Sequence, residues 1–205
     1  MTAPFDHLTL LIDTDHLKRA VKAMAQQLRD DLAAIPDAEN EPVLVVVLKG
    51  GVVFGMDLLR AIRRPMPVVF APRAGQFTTT IAESDQALLR GRHLIVADTL
   101  MDSGNSLRQL YQWLATLQPL SIRLAVLLHK TVGDAEPLEI HYLGYEVPDV
   151  RLVGYGLDEE ELFRGLPAIY TWWQDAGESV ITPEHPPETR EKPKKGKKDE
   201  APKSR

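Results

Sequence analysis

The sequence predicts an α/β fold with a parallel sheet flanked by helices. Residues 42–48, 94–97 and 122–128 are short apolar runs rich in Val, Leu and Ile, as in strands buried on both faces of a sheet. The segments between these runs carry apolar residues at helical spacing. The links between the segments are short, and alternation of strand and helix with short links favours parallel strand order.

The first half of the chain contains one strong helix pattern. Residues 15–35 carry apolar side chains at spacings of three and four, which predicts an amphipathic helix. Asp13 or Thr14 is suited to cap its start. The segments that follow are predicted to be a strand, a helix and a strand, at 42–48, 53–62 and 68–71.

The second half begins with a segment that has no clear period. Residues 72–90 contain a run of threonines and two acids, which predicts an exposed and mobile segment. Beyond it, residues 106–117 are predicted to form a helix. Strands are predicted on both sides of that helix, at 94–97, 122–128, 142–147, 152–155 and 169–173.

Composition excludes several classes of site. The chain has 205 residues, is 44% hydrophobic and contains no cysteine, so it can bury a core but cannot form disulfides, thiolate zinc sites or a cysteine nucleophile. No apolar run approaches the length of a membrane span, and the first residues lack the basic segment of a signal peptide. We therefore expect a cytoplasmic protein that does not bind membranes.

Charge is unevenly distributed along the chain. The net charge is −5, but residues 183–205 carry eight basic and five acidic side chains, leaving about −8 on the remainder. This segment has almost no apolar residues, so we expect a disordered tail, with weak polyanion binding as the alternative. We predict one domain at 1–182. Its acidity argues against nucleic-acid binding.

A phosphate-binding loop is predicted where the 94–97 strand leads toward a helix. Residues 98–106 read DTLMDSGNS, which places small side chains and the first free N–H groups of the helix around one point. Asp102 enters this loop, and Asp98 could bind ribose hydroxyls or a metal-bound water. An ordinary strand–glycine–helix turn is the other interpretation, because Asp and Ser cap many helices.

Four blocks of the sequence resemble the type I phosphoribosyltransferases, in their hypoxanthine-guanine branch. Residues 91–106 (GRHLIVADTLMDSGNS) resemble the family's ribose-5-phosphate signature, and 48–51 (LKGG) its pyrophosphate loop. Residues 127–131 (LLHKT) resemble the segment with the base-reading lysine. The branch-specific block is matched by VGYGLD at 153–158 followed by FRGLP at 163–167. The four blocks occur in the family's order.

The resemblance implies an enzyme of purine salvage. It would transfer phosphoribosyl from phosphoribosyl pyrophosphate (PRPP) to a 6-oxopurine, hypoxanthine or guanine, and release pyrophosphate. The implied fold is a parallel sheet flanked by helices with a small hood from the N- and C-terminal segments. The implied cofactor is Mg²⁺, and the implied assembly is a homodimer or homotetramer.

The resemblance also implies roles for single residues. Asp102 would be catalytic, beside the purine N7, and the loop at 48–51 could begin with a cis peptide bond, as it can in the family. Asp158 would hold Mg²⁺, with Asp98 as a further candidate. Three groups would contact substrate: the 5′-phosphate and ribose group Asp98, Thr99, Ser103, Gly104, Asn105 and Ser106; the pyrophosphate group Lys49, Gly50, Gly51 and Arg164; and the purine group Lys130, Arg151, Leu152 and Leu157.

Three positions depart from the family pattern. Thr99 stands where a second acid is usual, so ribose or metal contacts would depend on Asp98 with a hydroxyl as partner. Residues 73–79 lack the Ser-Tyr pair of the family's closing loop. Arg151 replaces an aromatic residue that stacks on the purine, and either stacks in its place or points to solvent. These departures favour an alternative function, a non-catalytic PRPP- or nucleotide-binding regulator.

Overall fold

A five-stranded parallel sheet forms the centre of the molecule. The computed structural model describes residues 7–33, 41–73, 77–130 and 138–172. The strands of this sheet lie in the order β3, β2, β4, β5, β6, and all four neighbouring pairs are parallel. Their bounds are β2 Val43–Leu48, β3 Val68–Pro72, β4 His93–Met101, β5 Ser121–Lys130 and β6 Tyr142–Val147.

A second, three-stranded sheet forms the predicted hood. Strand β1 (Leu8–Ile12) pairs antiparallel with β8 (Ile169–Trp172), which in turn pairs antiparallel with β7 (Leu152–Val153). The two ends of the described chain therefore meet in one sheet. The sequence pattern predicted β8 but gave no strand at β1, and it extended β7 two residues too far.

Helices cover both faces of the central sheet. Helix α1 (Thr14–Leu32) and helix α2 (Gly51–Ile62) pack with the hood residues into one apolar cluster, while helix α5 (Asn105–Thr116) belongs to the cluster on the opposite face. Asp13 caps α1 by accepting the His16 N–H at 2.8 Å, as predicted. The interleaved Val side chains of β2 divide between the two clusters, which explains why its sequence is apolar throughout.

The segment after β3 differs from the prediction. It forms two short helices, α3 (Phe77–Thr80) and α4 (Glu83–Leu89), instead of an exposed segment without structure. Phe77, Ile81 and Leu89 are buried in the cluster on the α5 face of the sheet. Phe77 lies in α3, Leu89 in α4 and Ile81 between them, so this segment is anchored to the sheet at three points.

Strand β4 is longer than predicted. It runs through Asp98 and Thr99 to Met101, so the turn into α5 is only Asp102–Gly104. No helix in the described ranges is long and apolar enough to cross a membrane. The predicted tail at 183–205 and its boundary with the domain lie outside the described residues.

Candidate active site

Two adjoining cavities lie beyond the carboxyl ends of β2 and β4, where ligands of parallel sheets usually bind. The first is lined by the turn from β4 into α5. The second, of about 230 Å³, is lined by the loop after β2 and by the segment around Asp158. Arg73, Asp98 and Leu100 line both cavities and so mark where they join.

The first cavity contains the predicted 5′-phosphate loop. Asp102, Ser103, Gly104, Asn105 and Ser106 all line it. Gly104 has a left-handed φ of 75°, which a residue with a side chain rarely adopts, and no side chain caps the helix that starts after it. The first N–H groups of a helix have no partner within the helix and favour an anion. The turn therefore has the geometry of a monophosphate site.

Thr99 does not have the ribose-facing position expected from its sequence neighbours. Its side chain is fully buried, and its hydroxyl donates to the Gly50 carbonyl at 2.9 Å. It lines neither cavity. Because alternate residues of a strand point to opposite faces, the Thr99 side chain does not share the cavities with Asp98. Its hydroxyl instead ties β4 to the loop after β2.

The loop at Lys49–Gly51 packs directly against two other segments. A Cβ at Gly51 would lie 3.0 Å from the Ala97 carbonyl oxygen, and a Cβ at Gly156 would lie 2.2 Å from the Gly50 oxygen. The Leu48–Lys49 peptide bond is cis, as the resemblance implied. Glycine is thus required where this loop meets the β4 end and the turn before Asp158.

Charged side chains cluster at the second cavity. Arg164 Nη2 lies 2.8 Å from Asp158 Oδ1, and its Nη1 donates to the Gly156 carbonyl at 2.9 Å. Glu161 Oε2 lies 3.0 Å from Lys49 Nζ and 3.1 Å from Arg164 Nη2. The predicted pyrophosphate residues and the predicted metal ligand therefore converge, together with Glu161, which was not predicted.

The predicted base-reading lysine lies beside the predicted catalytic acid. Lys130 is only 8% exposed, and its Nζ lies 3.2 Å from Asp102 Oδ2 and 3.0 Å from Asp149 Oδ1. Two carboxylates offset the cost of burying this ammonium group. The pairing fixes its position at the end of β5, next to the first cavity.

The remaining predicted purine contacts are less closely grouped. Arg151 is exposed and forms an ion pair with Glu159, and neither cavity includes it. Leu152 is buried in β7, while Leu157 lines the second cavity and not the first. Of the two arrangements considered for Arg151, the structure shows the guanidinium at the surface.

Asp98 lies at the junction of the two cavities and is almost completely buried. Burial raises the pKa of its carboxyl to about 7, against the opposing effects of Arg73 and of the N–H groups of Thr99 and Leu100. A carboxyl with this pKa changes charge near neutral pH. When protonated it can donate a hydrogen bond to a sugar hydroxyl, and when ionised it can accept one from that hydroxyl.

Comparison with known proteins identifies the family. The family model described as the phosphoribosyl transferase domain matches residues 10–160. The chain is 30% identical over 171 residues to the hypoxanthine-guanine phosphoribosyltransferase of Aquifex aeolicus, covering 80% of this chain and 93% of that one. The chain belongs to the phosphoribosyltransferase family. Within the family it falls in the hypoxanthine-guanine branch.

Solved structures of this phosphoribosyltransferase branch share the fold. The hypoxanthine-guanine phosphoribosyltransferase of Bacillus anthracis is 30% identical, has a TM-score of 0.69, and the match covers 79% of this chain and 95% of that one. The Trypanosoma cruzi hypoxanthine phosphoribosyltransferase in complex with the product IMP is 26% identical, with a TM-score of 0.71 and coverage of 80% and 90%.

The oxygen ligands of this phosphoribosyltransferase fit a weakly held divalent cation. Among the described residues no three His, Cys, Asp or Glu side chains group as a metal cage. Asp158 nevertheless presents its carboxylate to the second cavity, with Asp98 on the same wall. Mg²⁺ is usually held by one or two carboxylates, and substrate phosphates and waters complete its coordination shell.

Three residues of the site were missed by the sequence reasoning. Arg73 lines both cavities but falls in a segment that has no periodic pattern. Asp149 and Glu161 each pair with a predicted site cation. Glu161 lies in a run of acids and Asp149 in a short turn after Pro148, so the sequence offered no signal that would separate them from surface charges.

Proposed function

We propose that this protein transfers phosphoribosyl from PRPP to hypoxanthine or guanine, giving a nucleoside 5′-monophosphate and pyrophosphate. The observation that carries the proposal is that Asp102 lines the first cavity with Lys130 paired to it, while Lys49 and Arg164 line the second cavity. Asp98 lies between them, where a ribose joined to both a 5′-phosphate and a pyrophosphate would fit.

Binding at both ends of PRPP positions the sugar for reaction. Ser103, Gly104, Asn105 and Ser106 hold the 5′-phosphate, while Lys49, Gly50, Gly51 and Arg164 hold the pyrophosphate. The bond from sugar C1′ to the pyrophosphate oxygen breaks and a bond from C1′ to the purine nitrogen N9 forms. Fixed donors and cations stabilise the leaving anion because they need no reorganisation as charge develops.

Lys130 and Asp102 recognise the base. An ammonium group has only donors, so Lys130 pairs with an oxo group at C6 and not with the amino group of adenine. Asp102, 3.2 Å from Lys130, accepts or relays the proton at purine N7. Leu152, Leu157 and Arg151 remain predicted purine contacts, and Arg151 would have to leave Glu159 to stack on the base.

Asp158, with Asp98, would hold Mg²⁺ in the second cavity. When bound, Mg²⁺ neutralises part of the pyrophosphate charge. Asp158 already accepts the Glu161 N–H at 2.9 Å and pairs with Arg164, so its carboxylate is oriented without the ion. These two contacts hold the acid facing the site.

A non-catalytic PRPP- or nucleotide-binding regulator is the second candidate. Thr99 replaces a carboxylate, and its hydroxyl is used inside the fold at Gly50. Arg151 replaces the stacking aromatic and pairs with Glu159. These two differences from the family weaken catalytic or base contacts and leave the phosphate-binding loops intact.

Direct assay separates the two functions. Purified protein with Mg²⁺ and PRPP is incubated with hypoxanthine, guanine, xanthine, adenine or uracil, and products are separated by chromatography. We expect nucleotide from hypoxanthine or guanine and none from adenine or uracil. Binding of PRPP or GMP without nucleotide from any base would favour the regulator.

A further inference from the structure

A single carboxylate oxygen bridges the two cations of the second cavity. Glu161 Oε2 lies 3.0 Å from Lys49 Nζ and 3.1 Å from Arg164 Nη2. These cations come from separate segments, one after β2 and the other after β7. A phosphate oxygen placed between them would make the same two contacts. Glu161 therefore stands where the proposed function requires an oxygen of pyrophosphate.

The backbone around Glu161 directs its side chain toward the cavity. Glu160 and Glu161 have left-handed φ angles of 49° and 64°. The Glu161 N–H donates to Asp158 Oδ2 at 2.9 Å, and Glu159 and Leu162 close the turn through reciprocal backbone hydrogen bonds. The side chain therefore reaches both cations with one oxygen, Oε2.

The positive charges around the second cavity are largely offset while Glu161 faces it. Its lining includes three basic side chains, Lys49, Arg73 and Arg164, and three acidic ones, Asp98, Asp158 and Glu161. The negative charge of Glu161 weakens the attraction of this cavity for a multiply charged anion, compared with the same cavity without Glu161. Pyrophosphate must also take over the contacts that Glu161 makes.

We propose that Glu161 is an internal competitor for the pyrophosphate site, whose release from Lys49 and Arg164 accompanies the binding of PRPP or pyrophosphate and lowers their affinity. This inference rests on the proposed function, since it assigns the second cavity to pyrophosphate. Glu161 thereby sets the PRPP concentration at which the site fills, without contact to the purine end.

The expected effect is moderate because the competing ion pairs are exposed. The side chains of Lys49 and Glu161 are both about two-thirds exposed, at 66% and 64%. Exposed pairs contribute little each, so removing the carboxylate should tighten pyrophosphate binding by about three- to tenfold.

Calorimetric titration with sodium pyrophosphate tests the proposal on the full chain. Glu161→Gln should bind pyrophosphate about three- to tenfold more tightly than the unaltered protein, without Mg²⁺ and with it. Glu160→Gln is the matched control, because Glu160 is the neighbouring exposed acid in the same turn and lines neither cavity. In the assay, Glu161→Gln should lower the KM for PRPP and leave the KM for hypoxanthine unchanged.

Two results would overturn the inference alone. Unchanged pyrophosphate affinity in Glu161→Gln would mean that the carboxylate does not compete. Weaker binding confined to solutions with Mg²⁺ would mean that Glu161 helps to hold the cation instead. Failure of the unaltered protein to bind either pyrophosphate or PRPP would overturn the proposed function itself, and the inference with it.

Discussion

Asp98 is the residue whose position and protonation are most unusual. It is 6% exposed at the end of a central strand, and burial raises the pKa of its carboxyl from 3.8 to about 7. The folded state therefore binds a proton more tightly than the unfolded chain does. Between these two pKa values the unfolded chain has lost this proton while the folded state still keeps it, so Asp98 makes stability fall as pH rises.

We expect Asp98→Asn to remove that pH dependence. At about pH 4 the variant and the unaltered protein should have similar free energies of unfolding, because the carboxyl is protonated in the fold. By pH 8 the variant should be more stable by roughly 2–4 kcal/mol. Urea unfolding of the ligand-free proteins across this range measures the difference. A difference that does not change with pH would contradict the role assigned to burial.

Asp149 illustrates a site residue that only the folded structure reveals. It lies 3.0 Å from the buried Lys130 ammonium group, which also pairs with Asp102. Asp149→Asn should leave Lys130 held by one carboxylate and therefore less well positioned for the base. We expect the KM for hypoxanthine to rise about five- to tenfold, a loss near 1 kcal/mol, with the KM for PRPP little changed.

Steady-state kinetics with each substrate varied in turn measures this split. Glu146→Gln is the matched control, because Glu146 is an exposed acid on β6 close to Asp149 in the chain. Equal increases in both KM values would contradict a role at the purine end. They would indicate instead that Asp149 supports the site as a whole.

The loop after β2 shows how an element depends on its neighbours. The Thr99 hydroxyl donates to the Gly50 carbonyl, and Gly156 lies against the same oxygen. Thr99→Val keeps the shape of the side chain but leaves this carbonyl without its donor, at an expected cost of about 1–3 kcal/mol. We also expect weaker pyrophosphate binding, since the loop loses its tie to β4.

Thr99→Ser provides the control for that prediction. It retains the hydroxyl and loses only a methyl group, so pyrophosphate affinity measured by calorimetry should stay near that of the unaltered protein. If Val and Ser variants bind pyrophosphate equally well, the hydrogen bond to Gly50 does not hold the loop.

At the scale of elements, the sequence predicts what has a long and regular pattern. Helix α1 and strands β2, β4 and β5 have enough apolar residues to show their period, and all four were predicted within a few residues. Helices α3 and α4 have four and seven residues, too few to establish a helical period. Strand β4 continues through polar residues, Asp98 and Thr99, whose burial no local pattern reveals.

The whole molecule depends on contacts between distant parts of the chain. Strand β1 pairs with β8 across about 160 residues, so the partner that orders β1 lies far away in the chain. The candidate site likewise joins several separate segments. The resemblance supplied their order and most of their chemistry, whereas Arg73, Asp149 and Glu161 became evident only from distances.

Because the site joins the central sheet to the segment leading into the hood, ligand binding should stabilise the whole fold. We expect pyrophosphate to raise the thermal unfolding temperature, and Mg²⁺ to increase the rise, since Asp158 and pyrophosphate would hold the ion together. At 100 times its dissociation constant a ligand stabilises the fold by about 2.7 kcal/mol.

Asp158→Asn retains an oxygen for the Glu161 N–H, so this variant should keep the rise in unfolding temperature with pyrophosphate alone and lose the further rise with Mg²⁺. Calorimetric or fluorescence melting curves with and without each addition measure both effects. A variant that keeps the full Mg²⁺ increment would show that the ion is held elsewhere.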